Sequence, residues 1–103
     1  MAKFILSYLG GEQPSSPEEG KKHFEKYTQW LTLLGESVVI PTIPLKDTMT
    51  VNPDGTVTEG TTTSMSGYTI LEADSMEEAL AMAKSCPFLE IGGSLEVSEI
   101  MQM

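Results

Sequence analysis

Apolar and polar residues alternate in several short runs of the chain, which is the pattern of half-buried β-strands. In residues 3–9 the side chains of Phe4, Leu6 and Tyr8 share one face, and the opposite face is partly apolar as well. Similar extended runs follow at residues 37–40, 68–71 and 94–101. The chain is therefore expected to contain a sheet that offers apolar side chains on both of its faces.

Two helices are predicted, each by a capping sequence at its start. Ser16 with Glu19, and Ser75 with Glu78, have the spacing of capping boxes. In a capping box the serine and glutamate side chains each accept a hydrogen bond from an otherwise unpaired backbone N–H. The second helix is expected to end before Pro87, because proline cannot continue the helical ladder.

The first predicted helix carries its apolar residues on one stripe. Tyr27, Trp30, Leu31 and Leu34 recur at helical spacing, so they are expected to face the core. The helix is expected to stop at Gly35, since glycine readily takes the conformation that ends a helix.

The segment between the two helical regions predicts a hairpin. Residues 48–51 and 56–58 flank the sequence Asn-Pro-Asp-Gly at residues 52–55, in which proline presets φ and glycine can take the left-handed conformation. The polar residues 10–15 and 61–66 are expected to form loops.

The order of these elements predicts the fold class. Two strand-helix-strand halves joined through a hairpin have the ferredoxin-like plan, a member of the α+β class. A length of 103 residues predicts one domain, residues 1–103. Helices cover only one face of such a sheet, so a second copy of the chain is expected to cover the other face in a homodimer.

Charge and composition disfavour several classes of function. Fifteen acidic residues against six lysines give a net charge of -9, which repels nucleic acids and anionic membrane surfaces. Because arginine is absent, a neutral or weakly polar ligand is favoured over an anionic one. The sequence has neither an apolar run long enough to span a membrane nor a signal-peptide pattern, so a cytoplasmic location is expected.

The single cysteine, Cys86, can form no intrachain disulfide. We expect Cys86 to be a small buried residue that packs at the end of the second helix. A catalytic thiol is the alternative, although Lys84 is the only cationic residue near it in sequence, and a thiol needs such help to ionise.

His23 is the first candidate for proton transfer, because histidine is the residue type that exchanges a proton near neutral pH. It shares the helical stripe of Tyr27 and Trp30 and is therefore expected to face inward. The alternative is a structural histidine packed at the margin of the core.

Other candidate ligand contacts lie in the strands and in the loops around the hairpin. Asp47 and Glu59 flank the hairpin, where loop acids could overhang a cavity and accompany His23, although such acids are usually solvated. Tyr8 and Tyr68 are the aromatic candidates for ligand contact. A single histidine without clustered acids predicts no metal site, and no glycine spacing matches a phosphate-binding loop, so no cofactor is expected.

Residues 67–103 carry a series of short motifs in a fixed order. The run GYTILEADSMEEALAMAKSCPFLEIGGSLEV contains a strand, an EADS turn, an alanine-rich helix, a CP stop and a G-x-x-E-V strand. This series resembles the C-terminal signature of the YCII-related (YciI-like, DGPF) domain family. KFILSYLG near the N-terminus and IPL before the hairpin fit the same pattern, so the resemblance covers nearly the whole chain.

The resemblance implies a small, cytoplasmic, dimeric α+β barrel in a family whose members mostly have no known activity. Some relatives carry a His and Asp pair as an acid/base site, and a few enzymes of this fold dehalogenate or rearrange aromatic compounds. By position the histidine corresponds to His23, whereas the aspartate would fall near Thr32 or Leu33, which cannot ionise. The DGPF loop corresponds to residues 59–62, which keep an acid at Glu59 and the following glycine but lack the last two residues.

Together these features favour a homodimer that binds a small molecule, aromatic compounds included, in a cavity between the sheet and the partner subunit. If the protein is an enzyme, His23 is expected to transfer the proton. The alternative is a non-catalytic binding or protein-interaction module in which His23 is structural.

Overall fold

The computed structural model describes residues 1–12 and 15–102 and has a mixed α+β architecture. The helices are α1 (Pro17–Leu34) and α2 (Met76–Lys84), with short 3₁₀ segments at Gly35–Ser37 and Pro87–Ile91. The strands are β1 (Ala2–Gly10), β2 (Val38–Pro44), β3 (Met49–Val51), β4 (Val57–Glu59), β5 (Met65–Ala73) and β6 (Gly93–Glu99). The predicted order of strands, helices and hairpin is confirmed.

Four strands form one antiparallel sheet in the order β2-β5-β1-β6, and β3 pairs with β4 as a separate hairpin. The first strands of the two strand-helix-strand units, β1 and β5, therefore lie side by side at the centre. The edge strand β2 has two register shifts and contains Pro41 and Pro44. An edge position suits these prolines, because proline has no backbone N–H and an edge strand has a neighbouring strand on one side only.

The core lies between the sheet and the two helices. Leu6 of β1 and Leu71 of β5 are fully buried beneath Trp30 of α1. The indole N–H of Trp30 donates to the carbonyl oxygen of Met82 and to the hydroxyl of Ser85, both at 3.1 Å. These bonds join α1 to the end of α2 and satisfy the polar atom of a buried ring.

The side chains on the opposite face of the sheet are only partly buried. Ile5 pairs with Ile70, and Ile70 pairs with Ile40, so three isoleucines lie side by side across β1, β5 and β2. The apolar character that the sequence assigns to both faces of the sheet is therefore seen in the structure.

Only half of each predicted capping box forms. The hydroxyls of Ser16 and Ser75 accept hydrogen bonds from the backbone N–H groups of Glu19 and Glu78, both at 3.2 Å. The Glu19 carboxylate, however, accepts from the backbone N–H and the hydroxyl of Ser15. The prediction that this carboxylate accepts from the backbone N–H of Ser16 is therefore wrong, because the carboxylate bonds to the preceding residue, Ser15.

The predicted loops are shorter than expected. Since β5 begins at Met65, only residues 61–64 of the segment 61–66 lie outside the strands. β1 extends to residue 10, and Gln13 and Pro14 of the other predicted loop lie outside the described residues. Within residues 1–12 and 15–102, neither helix combines the length and apolar character needed to cross a bilayer.

Candidate functional site

A cavity of about 590 Å³ opens between α1 and the sheet. α1 forms one wall, the ends of β1 and β2 form the other, and the 3₁₀ segment Pro87–Ile91 contributes the floor. The lining residues that matter below are Tyr8, His23, Tyr27, Thr42 and Phe88. Its volume lies in the range of sites that hold small molecules.

His23 lines this cavity from α1, and its imidazole has an unsatisfied atom. Nε2 is buried and has no hydrogen-bond partner among the described residues. A buried polar atom without a partner costs about 1–3 kcal/mol, so such atoms are normally satisfied by protein, water or ligand. The imidazole therefore has one nitrogen whose hydrogen-bonding capacity is unused among the described residues.

Aromatic rings surround much of the cavity. The ring of Tyr8 stacks with those of Phe88 and Tyr27, with centroid separations of 4.9 and 6.2 Å. Phe88 lies tightly against Gly93, where an added Cβ would come within 2.2 Å of the phenyl ring. It also lies against Gly11, where the closest approach would be 2.8 Å. The two glycines thus make room for Phe88 at the floor of the cavity.

A ring of three hydroxyls forms part of the sheet wall. The phenol oxygen of Tyr8 shares hydrogen bonds with the hydroxyls of Thr42 and Thr69, and the two threonine hydroxyls share one at 3.0 Å. Thr69 is fully buried, whereas Thr42 and Tyr8 reach the cavity. Burial raises the pKa of Tyr8 to about 12, so the phenol stays neutral at physiological pH.

A second cavity of about 420 Å³ shares His23 with the first. Its walls carry both charges, including Lys22, Lys26 and Glu90. Lys26 donates to the Glu90 carboxylate at 3.2 Å, but both side chains are more than half exposed, and such surface pairs contribute little to stability. The mixed charge of this second cavity selects no ligand class.

The structure brings two of the predicted site residues, His23 and Tyr8, to the same cavity. The predicted acidic companion of His23 is not observed, because no carboxylate in the described part of the chain is hydrogen-bonded to the imidazole. The ring is not enclosed by protein either, since it borders both cavities. The site thus combines a buried, unpartnered Nε2 with a histidine side chain that has open space beside it.

The other three predicted contacts lie away from this cavity. Asp47 is exposed in the loop after β2 and has a φ of 56°. Glu59 is exposed at the end of the hairpin. Tyr68 alternates with the buried residues of β5 and so lies on the opposite face of the sheet. Ligand contact by these residues stays a prediction, and it would require a site other than this one.

Cys86 is buried, and burial raises the pKa of its thiol. A raised pKa leaves little of the thiolate form that a nucleophile needs. The position therefore fits the predicted packing role at the end of α2. Among the described residues, no group of three or more His, Cys, Asp or Glu side chains is placed to hold a metal ion.

Sequence reasoning missed three residues of the site. The helical spacing predicts Tyr27 as a core residue only, although it shares the inward stripe with His23. Phe88 lies in a 3₁₀ segment that the sequence does not predict, and Gly93, shortly after this segment, is the available signal for a tight approach. Thr42 carried no signal, since its partners Tyr8 and Thr69 are distant in sequence.

Comparison with known proteins places the chain in a family. A solved structure with a similar fold is the 5-chloro-2-hydroxyhydroquinone dehydrochlorinase (TftG) of Burkholderia phenoliruptrix AC1100, in complex with 2,5-dihydroxybenzoquinone. The two chains are 17% identical with a TM-score of 0.60, over 98% of this chain and 95% of that one. No curated protein matches the sequence. The family model of the YCII-related domain matches residues 5–103, and the chain therefore belongs to the YCII-related family.

Proposed function

We propose that the protein binds a small, uncharged, planar ring compound in the cavity beside His23. The observation that carries this proposal is the buried Nε2 of His23, which has no partner among the described residues and belongs to a side chain that borders open space. Tyr8, Tyr27 and Phe88 supply flat apolar surface, on which an aromatic ring packs well. A neutral ligand also suits a chain with a net charge of -9 and no arginine.

The structural neighbour supports the ligand class in general terms. It is a 5-chloro-2-hydroxyhydroquinone dehydrochlorinase that was solved with 2,5-dihydroxybenzoquinone. At a sequence identity of 17%, the similarity between the two chains shows a shared fold only. We therefore extend to this chain no more than the general ligand class, small oxygenated rings. The neighbour's reaction is not carried over.

Proton transfer by His23 is the finer part of the proposal. An imidazole that bonds a ring hydroxyl is placed to accept its proton or to return it. A histidine base usually works with a second group that orients it, and His23 is hydrogen-bonded to no other described side chain. Binding is therefore better supported than acid/base catalysis. The competing function is a non-catalytic module in which His23 only fills space.

A ligand screen with matched variants tests this proposal. Thermal unfolding is followed with a panel of phenols, hydroquinones and quinones, since a ligand at 100 times its Kd stabilises by roughly 2.7 kcal/mol. His23→Phe keeps a flat ring against Tyr27 but removes the nitrogen, and Glu25→Gln is a control on the exposed side of α1. We expect His23→Phe to lose the stabilisation and Glu25→Gln to keep it. If His23→Phe retains ligand affinity and any measured turnover, His23 is structural.

We also propose that a second copy of the chain covers the outer face of the sheet, giving a ferredoxin-like dimeric barrel. The row Ile5, Ile40 and Ile70 is apolar and only partly buried. In the hairpin, Val51 and Val57 are 71% and 60% exposed, although a free two-stranded hairpin is marginally stable in water. The radius of gyration is 14.9 Å, whereas a compact chain of this length has about 13 Å. These features support a surface that a partner completes.

Light scattering on the purified protein tests the dimer. We expect a mass of twice the 11.2 kDa chain at micromolar concentration. Ile70→Lys places a charge in the isoleucine row and is expected to give the monomer, whereas Glu77→Gln on exposed α2 surface is expected to leave the dimer intact. A monomeric wild type would contradict this part of the proposal.

A further inference from the structure

The hydroxyls of Tyr8, Thr42 and Thr69 form a closed ring of hydrogen bonds. Each hydroxyl lies within hydrogen-bonding distance of the other two. A hydroxyl has one hydrogen to donate and two acceptor positions. When each hydroxyl donates to its neighbour, all three hydrogens are used within the ring, and acceptor capacity remains.

The spare acceptor capacity faces the cavity at Thr42. Thr69 is fully buried, and Tyr8 is 3% exposed and lies under Phe88. Thr42 is partly buried and lines the cavity from β2, across from His23 on α1. The cavity therefore has polar groups on two walls, with apolar rings between them.

The charge state of the ring holds over the physiological range. Burial keeps Tyr8 in its neutral form, and threonine hydroxyls do not ionise. The sheet wall thus offers a neutral acceptor, which pairs with a hydrogen donor and gives no charge attraction to an anion or a cation.

We propose that Thr42 determines specificity by accepting a hydrogen bond from a hydroxyl on the bound ring, so that the ligands are hydroxylated rings rather than their ethers. This inference rests on the proposed function, since it assumes that the ring lies in the cavity beside His23. One hydroxyl of the ligand donates to Thr42, and a second polar group on the ring reaches Nε2 of His23. A methyl ether has no hydrogen to donate and places a methyl group against the hydroxyl.

Three probes that differ only at the oxygen atoms test the inference: hydroquinone, 4-methoxyphenol and 1,4-dimethoxybenzene. Their dissociation constants for the 103-residue chain are measured by NMR titration under argon. We expect hydroquinone to bind most tightly and the dimethyl ether most weakly. A hydrogen bond contributes roughly 0.5–1.5 kcal/mol, so each lost donor is expected to weaken binding by about two- to tenfold.

Variants at residue 42 separate the hydroxyl from the shape of the side chain. Thr42→Val keeps the shape, suits a strand, and leaves Tyr8 and Thr69 bonded to each other. It is expected to reduce the preference for hydroquinone over 1,4-dimethoxybenzene by about two- to tenfold, the contribution of one donor, while leaving the affinity for 1,4-dimethoxybenzene unchanged. Thr42→Ser keeps the hydroxyl and should retain the preference. Thr32→Val makes the same chemical change on the exposed side of α1, outside the cavity, and should also retain it.

The outcomes for the two proposals are distinct. If Thr42→Val keeps the full preference of the wild type for hydroquinone, or if wild type binds hydroquinone and its dimethyl ether equally, Thr42 does not determine specificity, and the proposed cavity function stands. If wild type binds none of the three probes, the proposed function fails and this inference fails with it. A preference that is reduced in Thr42→Val, but not in Thr42→Ser or Thr32→Val, supports both.

Discussion

The imidazole of His23 meets the ring of Tyr27 edge-on, with the ring centroids 4.6 Å apart and the planes at 88°. The two residues are four positions apart on α1, which places them one above the other on the same helical face. Tyr27 in turn stacks with Tyr8 of the sheet, and Tyr8 with Phe88 of the 3₁₀ segment. A continuous series of rings thus runs from the helix to the floor of the cavity.

The floor depends on the absence of a side chain at residue 93. In Gly93→Ala the new Cβ would lie 2.2 Å from the Phe88 ring, so Phe88 must move. We expect a loss of about 1–3 kcal/mol in the free energy of unfolding, as for other overpacked sites. Urea unfolding followed by the fluorescence of Trp30, the only tryptophan, measures this.

The control for this change is Gln29→Ala, on the exposed side of α1. A surface substitution of this kind is expected to change stability by no more than about 0.5 kcal/mol. If Gly93→Ala is as stable as Gln29→Ala, the close packing of Phe88 is not a constraint on the fold.

The start of α2 depends on one side chain. The hydroxyl of Ser75 accepts the backbone N–H of Glu78 at 3.2 Å. Ser75→Ala removes this bond and is expected to lower the free energy of unfolding by about 1 kcal/mol. Gln29→Ala on the exposed side of α1 serves as the reference, and equal urea midpoints for the two variants would argue against the cap.

Stability is expected to fall at high pH. Burial raises the pKa of Tyr8 to about 12, and it also raises the pKa of Tyr27 and of Cys86. In the unfolded chain a tyrosine phenol has a pKa of about 10 and a cysteine thiol a pKa of about 8.5. The folded state holds these protons more tightly, so the stability they contribute is fully present below the unfolded values. It is lost as pH rises through the folded ones.

Urea unfolding at a series of alkaline pH values checks this dependence. We expect the free energy of unfolding to decline most steeply between about pH 10 and about pH 12. Tyr8→Phe removes one of the titrating groups and should flatten the decline, while leaving Thr42 and Thr69 bonded to each other. If the stability of the wild type is constant over this range, folding does not raise the pKa of Tyr8, and this prediction is wrong.

Much of the fold follows from local pattern. A spacing of two placed Phe4, Leu6 and Tyr8 on one face of β1, and helical spacing placed Tyr27 and Trp30 on the inner face of α1. Both signals arise within a single element, where side-chain direction depends on position alone. His23 was found by the same signal, because it lies on the same stripe.

The rest of the site depends on contacts between distant elements. Tyr8 and Thr42 are 34 residues apart, and Tyr8 and Thr69 are 61 apart. Their meeting depends on the strand order and on the register shifts of β2, which no local pattern encodes. The position of Phe88 likewise depends on how the 3₁₀ segment packs against the end of β1. Sequence alone therefore indicated two of the cavity residues and missed the hydroxyl ring.

The central claim is that a ring compound in the cavity forms a hydrogen bond with Nε2 of His23. His23 is the only histidine in the chain, so every imidazole signal in a ¹H–¹⁵N or ¹H–¹³C NMR spectrum arises from it. On titration with hydroquinone, we predict that the His23 ring signals shift and saturate, with the largest change at Nε2, in wild type and in Glu25→Gln alike. Imidazole signals that stay unchanged at saturating hydroquinone would contradict the account.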